Sequence, residues 1–300
     1  MSYGLPIHYI EPVYRPPSEA QSLILPVTNG CSWRKCLFCE MYTAPQKKFH
    51  ARDEQDTLAV IRALAAHPVG RMARRIFLAD GDALALPSRR LLTMLNAIRE
   101  HLPGVHRVSS YCLPRNLKKK SVSELKELAE AGLKLAYVGA ESGDDVVLEK
   151  VNKGETFSST AEALAKLAEA GIARSVMILN GLGGERYSEA HALASAELAN
   201  VAQPEFLATL VVSFPTGEQR FRAGFPDWSP LDIPGLLVEM EHFVARLALK
   251  RTIFRSDHAS NWLSLRGNLP QDKERLLAQL RAAIAAPDAA PLRPAWARGL

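Results

Sequence analysis

Short apolar runs alternate with longer amphipathic stretches along most of this chain. The short runs are rich in β-branched and aromatic residues and predict β-strands at residues 23–27, 75–79, 107–111, 135–139, 175–179, 206–212 and 252–255. Helical periodicity between and after them predicts helices at residues 53–66, 88–101, 121–131, 158–170, 188–201 and 271–285. Strand–helix–strand repeats of this length specify parallel pairing with right-handed crossovers. The sequence therefore predicts an α/β fold, a partial (β/α)6 barrel of the TIM type.

Local signals mark the ends of some helices and divide the chain. Ser121 and Glu124 form a capping box at a helix start, and Gly132 and Gly171 stand where helices end. Four prolines within residues 1–21 predict an extended lead on the barrel surface. We expect a core at residues 22–250, a strand–helix extension at 251–286, and a disordered, Ala- and Pro-rich tail at 287–300.

Composition narrows the class of protein. The 300 residues are 47% hydrophobic, which is enough for one large core, and contain no apolar run of the length that a membrane span needs. The chain begins without the features of a secretory signal, which favours a cytoplasmic location. The net charge is +5, and basic residues come in small groups, so contact with RNA or anionic metabolites is permitted but not indicated.

Three cysteines in one short stretch, Cys31, Cys36 and Cys39, are the strongest chemical signal. Three thiolates on one loop can hold three irons of a 4Fe–4S cluster and leave the fourth iron open to a small molecule. A zinc site takes four protein ligands and would have to recruit Cys112 or a histidine such as His50. Plain buried thiols are a further alternative, and a disulfide is disfavoured in a reducing compartment.

The cysteine stretch resembles the signature of the radical S-adenosylmethionine (radical SAM) superfamily, with Phe38 as the aromatic residue before the third cysteine. That signature usually has three residues in the first gap, whereas this chain has four. Residues 15–277 resemble an uncharacterised branch of the superfamily, with an Arg-Pro-Pro-Ser-Glu-Ala lead and a late Ser-x-His-x-Ser-Asn segment. The core is more distantly similar to oxygen-independent coproporphyrinogen oxidases and to RNA-modifying radical SAM enzymes.

The resemblance implies where S-adenosylmethionine binds, at loops after the carboxyl ends of the strands. Asp80-Gly81-Asp82 stands in place of the superfamily's Gly-Gly-Glu motif, with Asp82 as the partner of the methionine amino group and Asp80 as either a second contact or simple turn chemistry. Glu141 and Ser142 resemble the segment near the ribose and methionine end, although helix capping by Ser142 or Asp144 is also open. Gly181 and Val211 resemble the segments that pack against adenine.

The remaining polar residues at these strand ends are candidate substrate contacts: Tyr111, Cys112, Asp257, His258 and Asn261. Cys112 is better explained as a small buried residue than as a ligand of a second cluster, because one cysteine cannot hold a cluster. His258 is either an acid–base group or a loop histidine.

The resemblance implies an enzyme that cleaves S-adenosylmethionine reductively and abstracts hydrogen from a small molecule, peptide or RNA. It also implies an electron donor such as flavodoxin or ferredoxin. The alternative is a non-enzymatic iron–sulfur or zinc protein with a structural or electron-transfer role.

Overall fold

The computed structural model describes residues 4–298. The strands in this range are β1 (Leu23–Pro26), β2 (Thr28–Asn29), β3 (His50–Ala51), β4 (Arg75–Ala79), β5 (Arg107–Tyr111), β6 (Leu133–Glu141), β7 (Ala173–Asn180), β8 (Phe206–Val211), β9 (Thr252–Ser256) and β10 (Leu265–Leu269). The α-helices are α1 (Glu54–Ala66), α2 (Pro68–Met72), α3 (Ser88–His101), α4 (Val122–Glu130), α5 (Asp145–Lys150), α6 (Phe157–Glu169), α7 (Gly184–Ala202), α8 (Gln219–Gly224), α9 (Ile233–Arg246) and α10 (Lys273–Ala285).

The strands confirm the predicted fold class. Eight of them follow one another in a mostly parallel sheet in the order β1-β4-β5-β6-β7-β8-β9-β10, and the short β2 and β3 pair separately. The chain divides into two compact units, each assembled from several segments. Within the described range, the N-terminal unit comprises residues 4–34, 41–138 and 165–174, and the C-terminal unit comprises 35–40, 139–164 and 175–298.

The N-terminal unit contains a parallel ladder of β1, β4, β5 and β6, with Leu23 opposite Ile76 and Ile76 opposite Val108. Its central strand β4 is almost entirely buried, as parallel strands covered on both faces require. Helices α1 and α3 pack together and direct Ile61 and Leu95 into the core.

The C-terminal unit pairs β7 with β8 and β8 with β9 in parallel, and β10 runs antiparallel to β9. Helix α9 packs against α7 and α10. A cluster of buried aromatic and aliphatic side chains around Phe221, Phe225 and Trp228 forms a second packing centre in this unit.

The N-terminal lead is more than an extended surface segment. Glu19 is completely buried and accepts hydrogen bonds from Arg107 at 2.8 Å and from the hydroxyl of Tyr137 at 2.7 Å. Ser22 also donates to Glu19. The prediction that residues 1–21 lie on the surface is therefore wrong for this anchored part, because a buried carboxylate is stable only when it is paired. Residues 1–3 lie outside the described residues.

The C-terminal tail also differs from expectation. Arg293 donates its main-chain amide to the carbonyl of Trp262 at 2.7 Å, and the guanidinium of Arg298 stacks 3.8 Å from the ring centroid of Trp262. Both contacts hold the described part of the tail, residues 287–298, against the segment around Trp262, and residues 299–300 lie outside the described range.

No helix in residues 4–298 combines the length and apolar content that a membrane span needs.

Candidate active site

Asp82 is the third residue after β4 and is held by one of its two carboxylate oxygens. Its Oδ2 accepts hydrogen bonds from the main-chain amide of Ser32 at 3.3 Å, from the Ser32 hydroxyl and, more weakly, from Asn116 at 3.5 Å. Its Oδ1 is buried and has no hydrogen-bond partner among the described residues. Burial raises the pKa of Asp82, and the hydrogen bonds from Ser32 and Asn116 offset this rise only in part. The arrangement leaves a fixed carboxylate with one oxygen available to a cationic ligand.

Gly81 brings the end of β4 against the start of the cysteine loop. Its φ is +78°, and a Cβ at this position would collide with the carbonyl group of Gly30 and approach the amide of Cys31. The middle residue of the Asp80-Gly81-Asp82 turn must therefore be glycine, both for its left-handed backbone and for this close approach.

Asp80 has a different environment from Asp82. Its carboxylate forms a buried ion pair with Lys47 and accepts a hydrogen bond from the hydroxyl of Tyr42 at 3.1 Å. Lys47 is completely buried and also donates to the carbonyl of Ile10. Both oxygens of Asp80 are thus engaged by protein, which fits an anchor for the segment after the cysteine loop rather than the predicted cofactor contact.

The turn from Cys36 to Cys39 lies in the C-terminal unit. Arg220 donates from Nη2 to the carbonyl of Cys36 at 2.9 Å and from Nη1 to the carbonyl of Cys39 at 2.6 Å. The amide of Leu37 donates to the carbonyl of Val151 at 3.0 Å. This turn is held through its main chain, while the cysteine side chains are half-buried thiols.

Glu141 ends β6 with a left-handed φ of +67° and a buried carboxylate. Its Oε1 lies 3.0 Å from Nζ of Lys153, and its Oε2 is buried without a hydrogen-bond partner among the described residues. A Cβ on Gly139 would collide with this carboxylate, which explains the glycine two residues before Glu141. Burial works against the charge on Lys153, but Glu141 and then Cys36 outweigh it and raise the pKa of Lys153.

Lys153 also lies near the aromatic residue of the cysteine stretch. Its Nζ is 5.9 Å from the ring centroid of Phe38, within the range of a cation–π contact. Phe38 itself packs against the aromatic cluster of the C-terminal unit.

Ser142 and Gly143 connect the end of β6 to helix α7. The Ser142 hydroxyl is 2.8 Å from Nδ1 of the buried His191, and a Cβ on Gly143 would collide with the main chain of Ala194. Asp144, not Ser142, caps helix α5, by accepting a hydrogen bond from the amide of Val147 at 2.9 Å. One of the two predicted capping alternatives is therefore confirmed.

Gly181, directly after β7, is hydrogen-bonded to a carboxylate that the sequence did not indicate. Its amide donates to Oε1 of Glu239 at 2.5 Å, and Asn180 donates to the same oxygen at 2.6 Å. Ser188 donates to the other oxygen at 2.7 Å, and Nε2 of His191 lies 3.8 Å from Oε1. Glu239 thus ties the Gly-rich segment to α9 and α7.

Two residues predicted to contact cofactor and substrate meet in the C-terminal unit. The amide of Val211 donates to Oδ1 of Asn261 at 2.9 Å, and Nδ2 of Asn261 donates to Thr209 and Ser256. Asn261 is 2% exposed, and its amide is committed to these contacts. The structure therefore gives Asn261 a structural environment and no support as a substrate residue.

The other predicted substrate residues are less enclosed. Nδ1 of His258 is 2.9 Å from the hydroxyl of Ser260, and burial, followed by the charge of Arg293, lowers the pKa of His258. Asp257 pairs with Arg266 at 2.6 Å. In the N-terminal unit, the half-buried ring of Tyr111 packs edge-on against Phe77.

Cys112 is buried in the N-terminal unit, and its thiol donates a weak hydrogen bond to the carbonyl of Leu113 at 3.4 Å. This location fits the prediction of a small buried residue.

Sequence reasoning missed Lys47, Lys153, Arg220 and Glu239. Glu239 carries a recognisable signal, because it interrupts the apolar face formed by Leu236, Met240 and Phe243. An acidic residue on such a face predicts a buried polar contact. The sequence around Arg220 carries no such signal, because a short polar segment after a strand is typical of a loop.

Residues 4–298 contain no group of three or more His, Cys, Asp or Glu side chains that are placed to hold a metal ion. The assignment of Cys31, Cys36 and Cys39 as cluster ligands therefore depends on their sequence pattern and on the family.

Comparisons with known proteins agree with that pattern. Residues 25–196 match the family model described as the radical SAM superfamily. No curated protein matches the chain at a significant level.

Solved structures share the fold at low sequence identity. Coproporphyrinogen III oxidase (HemN) from Escherichia coli is 15% identical over 75% of this chain and 51% of its own, with a TM-score of 0.56. Methylornithine synthase (PylB) is 15% identical over 76% of this chain and 63% of its own, with a TM-score of 0.52. The radical S-adenosylmethionine methyltransferase TsrM from Kitasatospora setae, solved with cobalamin and a [4Fe-4S] cluster, is 20% identical over 63% of this chain, with a TM-score of 0.51. The chain covers only 36% of TsrM, so it spans about a third to under two thirds of these proteins.

Proposed function

Because this chain belongs to the radical SAM superfamily, a superfamily of enzymes, we propose that Cys31, Cys36 and Cys39 hold a 4Fe–4S cluster and that the protein cleaves S-adenosylmethionine reductively. When bound, such a cluster supplies the electron that breaks a carbon–sulfur bond of S-adenosylmethionine, giving methionine and a 5′-deoxyadenosyl radical that takes hydrogen from a substrate. The protein's own residues bind and orient the reactants and exclude water.

One observation carries this proposal: Asp82 and Glu141 each hold one buried oxygen without a hydrogen-bond partner among the described residues. A buried charged oxygen without a partner is costly, so both positions suit a ligand that brings donors. S-Adenosylmethionine carries an ammonium group and two ribose hydroxyls, which are donors of the required kind.

Asp82 is the residue that would bind the ammonium group. Ser32 and Asn116 fix its Oδ2, so its Oδ1 is presented in one orientation, and an ammonium–carboxylate hydrogen bond is strong in a site shielded from water. The raised pKa of Asp82 has the same origin as this shielding, since burial disfavours the carboxylate until a cation arrives.

Glu141 would accept from the ribose or from the methionine end of the ligand. Lys153 neutralises its Oε1 side and leaves Oε2 for the ligand. Gly181 and Val211 belong to main-chain segments that we propose to lie along the adenine ring, and Glu239 and Asn261 keep those segments in place.

The proposal also includes a class of substrate and a class of electron donor. A small molecule, a peptide and RNA all suit a basic protein with this core. A flavodoxin or a ferredoxin is the class of donor that we expect to reduce the cluster.

Equilibrium binding of S-adenosylmethionine to the anaerobically reconstituted protein tests the cofactor assignment. We expect about four irons per chain in the wild type, a cluster spectrum that changes when S-adenosylmethionine is added, and loss of both in Cys36→Ala. Zinc retained in place of iron, or an iron–sulfur cluster with no affinity for S-adenosylmethionine, would favour the non-enzymatic alternative.

A further inference from the structure

The guanidinium of Arg220 donates hydrogen bonds to the main chain at both ends of the Cys36–Cys39 turn. Its two terminal nitrogens donate separately to the carbonyls of Cys36 and Cys39, at 2.9 Å and 2.6 Å. The Cys36 carbonyl also accepts the amide of Cys39 at 3.3 Å. A planar guanidinium binds two acceptors at a fixed spacing, so Arg220 sets the separation of these two carbonyls.

Leu37, the first of the two residues between these cysteines, is held by two further contacts. The amide of Leu37 donates to the carbonyl of Val151, just beyond α5, and the side chain of Leu37 lies against Gly224 at the end of α8. A Cβ on Gly224 would collide with Leu37. The turn is thus fixed by contacts that lie wholly within the C-terminal unit and require no cysteine side chain.

The start of the cysteine loop has a separate anchor. Ser32, next to Cys31, is bound by Asp82 in the N-terminal unit. The unusual four-residue gap between Cys31 and Cys36 therefore begins and ends at segments with their own anchors.

We propose that Arg220 is a positioning residue that holds the Cys36–Cys39 turn in the conformation that receives the cluster. The inference depends on the proposed function for its purpose, but the preformed turn itself is a property of the protein before iron is added. Within residues 4–298, the hydrogen bonds that Arg220 donates go to main-chain carbonyls, so Arg220 positions the ligands through the backbone.

Amide hydrogen exchange in the metal-free protein tests this directly. We compare Arg220→Gln with Arg222→Gln, a matched control on the same helix whose side chain binds Glu218 and the carbonyl of Trp228. Loss of charged hydrogen bonds to the turn predicts exchange at Leu37 and Cys39 that is about tenfold faster in Arg220→Gln, with no change in Arg222→Gln. Arg220→Lys, which reaches one carbonyl but not both, gives an intermediate rate.

Iron retention supplies the second measurement. After anaerobic reconstitution, Arg220→Gln should lose iron to a ferrous chelator several-fold faster than the wild type, and Arg222→Gln should match the wild type.

Equal exchange at Cys39 in the two Gln variants overturns the inference, and so does equal iron loss. If Arg220→Gln does not fold, the comparison of Arg220→Lys with the wild type decides between the same outcomes. A wild type that takes up no iron contradicts the proposed function, whereas the exchange rates in metal-free protein still decide whether Arg220 orders the turn.

Discussion

Glu141 and Lys153 form an ion pair in the interior of the C-terminal unit, with Nζ of the lysine 3.0 Å from Oε1 of the glutamate and both side chains less than a tenth exposed. Lys153→Met leaves Glu141 buried and unpaired, and we expect it to lower the free energy of unfolding by about 3–5 kcal/mol. The double variant Glu141→Gln/Lys153→Met removes both charges and should recover most of the loss. Urea unfolding of the metal-free proteins measures the free energy of unfolding of the single and the double variant. Equal values for the two variants would show that the two charges are not coupled.

Asp82→Asn should separate stability from ligand binding. Because burial raises the pKa of Asp82 in the folded protein, the folded state keeps this proton to higher pH than the unfolded chain does, and stability falls as the pH rises between the two pKa values. The asparagine variant lacks this fall, so the metal-free variant should gain stability relative to the wild type as the pH rises above about 4, the ordinary pKa of an aspartate.

The same variant loses the charge that we propose to bind the ammonium group. We expect its affinity for S-adenosylmethionine to fall by about tenfold or more. The exposed Asp288→Asn is the control and should change neither quantity. A variant that loses stability as the pH rises, as the wild type does, would refute the assignment of the raised pKa.

Glu239→Leu should destabilise the C-terminal unit. The substitution leaves the buried donors of Asn180 and Gly181 without their acceptor, and each such donor costs about 1–3 kcal/mol. Glu241→Leu, two residues along the same helix, removes only a partly exposed pair with Arg281 and should cost about 1 kcal/mol or less. Thermal unfolding of the two variants checks this prediction. Equal losses of stability would show that Glu239 is no more important to the C-terminal unit than Glu241.

Gly81→Ala and Gly171→Ala form a matched pair. Both glycines have left-handed φ values, +78° and +74°, but a Cβ on Gly81 would collide with Gly30, whereas no atom lies within 4 Å of one on Gly171. Each substitution meets a backbone cost of about 1–2 kcal/mol, and Gly81→Ala adds the collision. We expect Gly81→Ala to be clearly the less stable in urea unfolding, and the reverse order would contradict the close approach.

The sequence predicted the repeating part of the fold well, because apolar periodicity and helix caps are local signals. Helix α3 has the predicted bounds, and the capping box of Ser121 and Glu124 is present as predicted. Strand β10 and helix α9 were missed. Alternate residues of β10 are buried, but Gly267 and Asn268 weaken its resemblance to a strand.

The motif Asp80-Gly81-Asp82 did indicate a glycine that the backbone requires, since Gly81 has a left-handed φ and no room for a Cβ beside Gly30. The sequence did not indicate the contacts that a side chain makes with a residue far away in the chain. Lys47 lies in a basic pair that is typical of a solvated loop, yet it is completely buried against Asp80. No local pattern distinguishes these cases, because burial of a charge is decided by tertiary partners.

Reductive cleavage of S-adenosylmethionine is tested by the amount of 5′-deoxyadenosine that the reconstituted protein forms. The reaction is run under strict anaerobiosis with dithionite and S-adenosylmethionine, and the product is measured by mass spectrometry. We expect product from the wild type and none from Cys36→Ala. A fully loaded wild-type cluster that gives no 5′-deoxyadenosine above the Cys36→Ala background would contradict it.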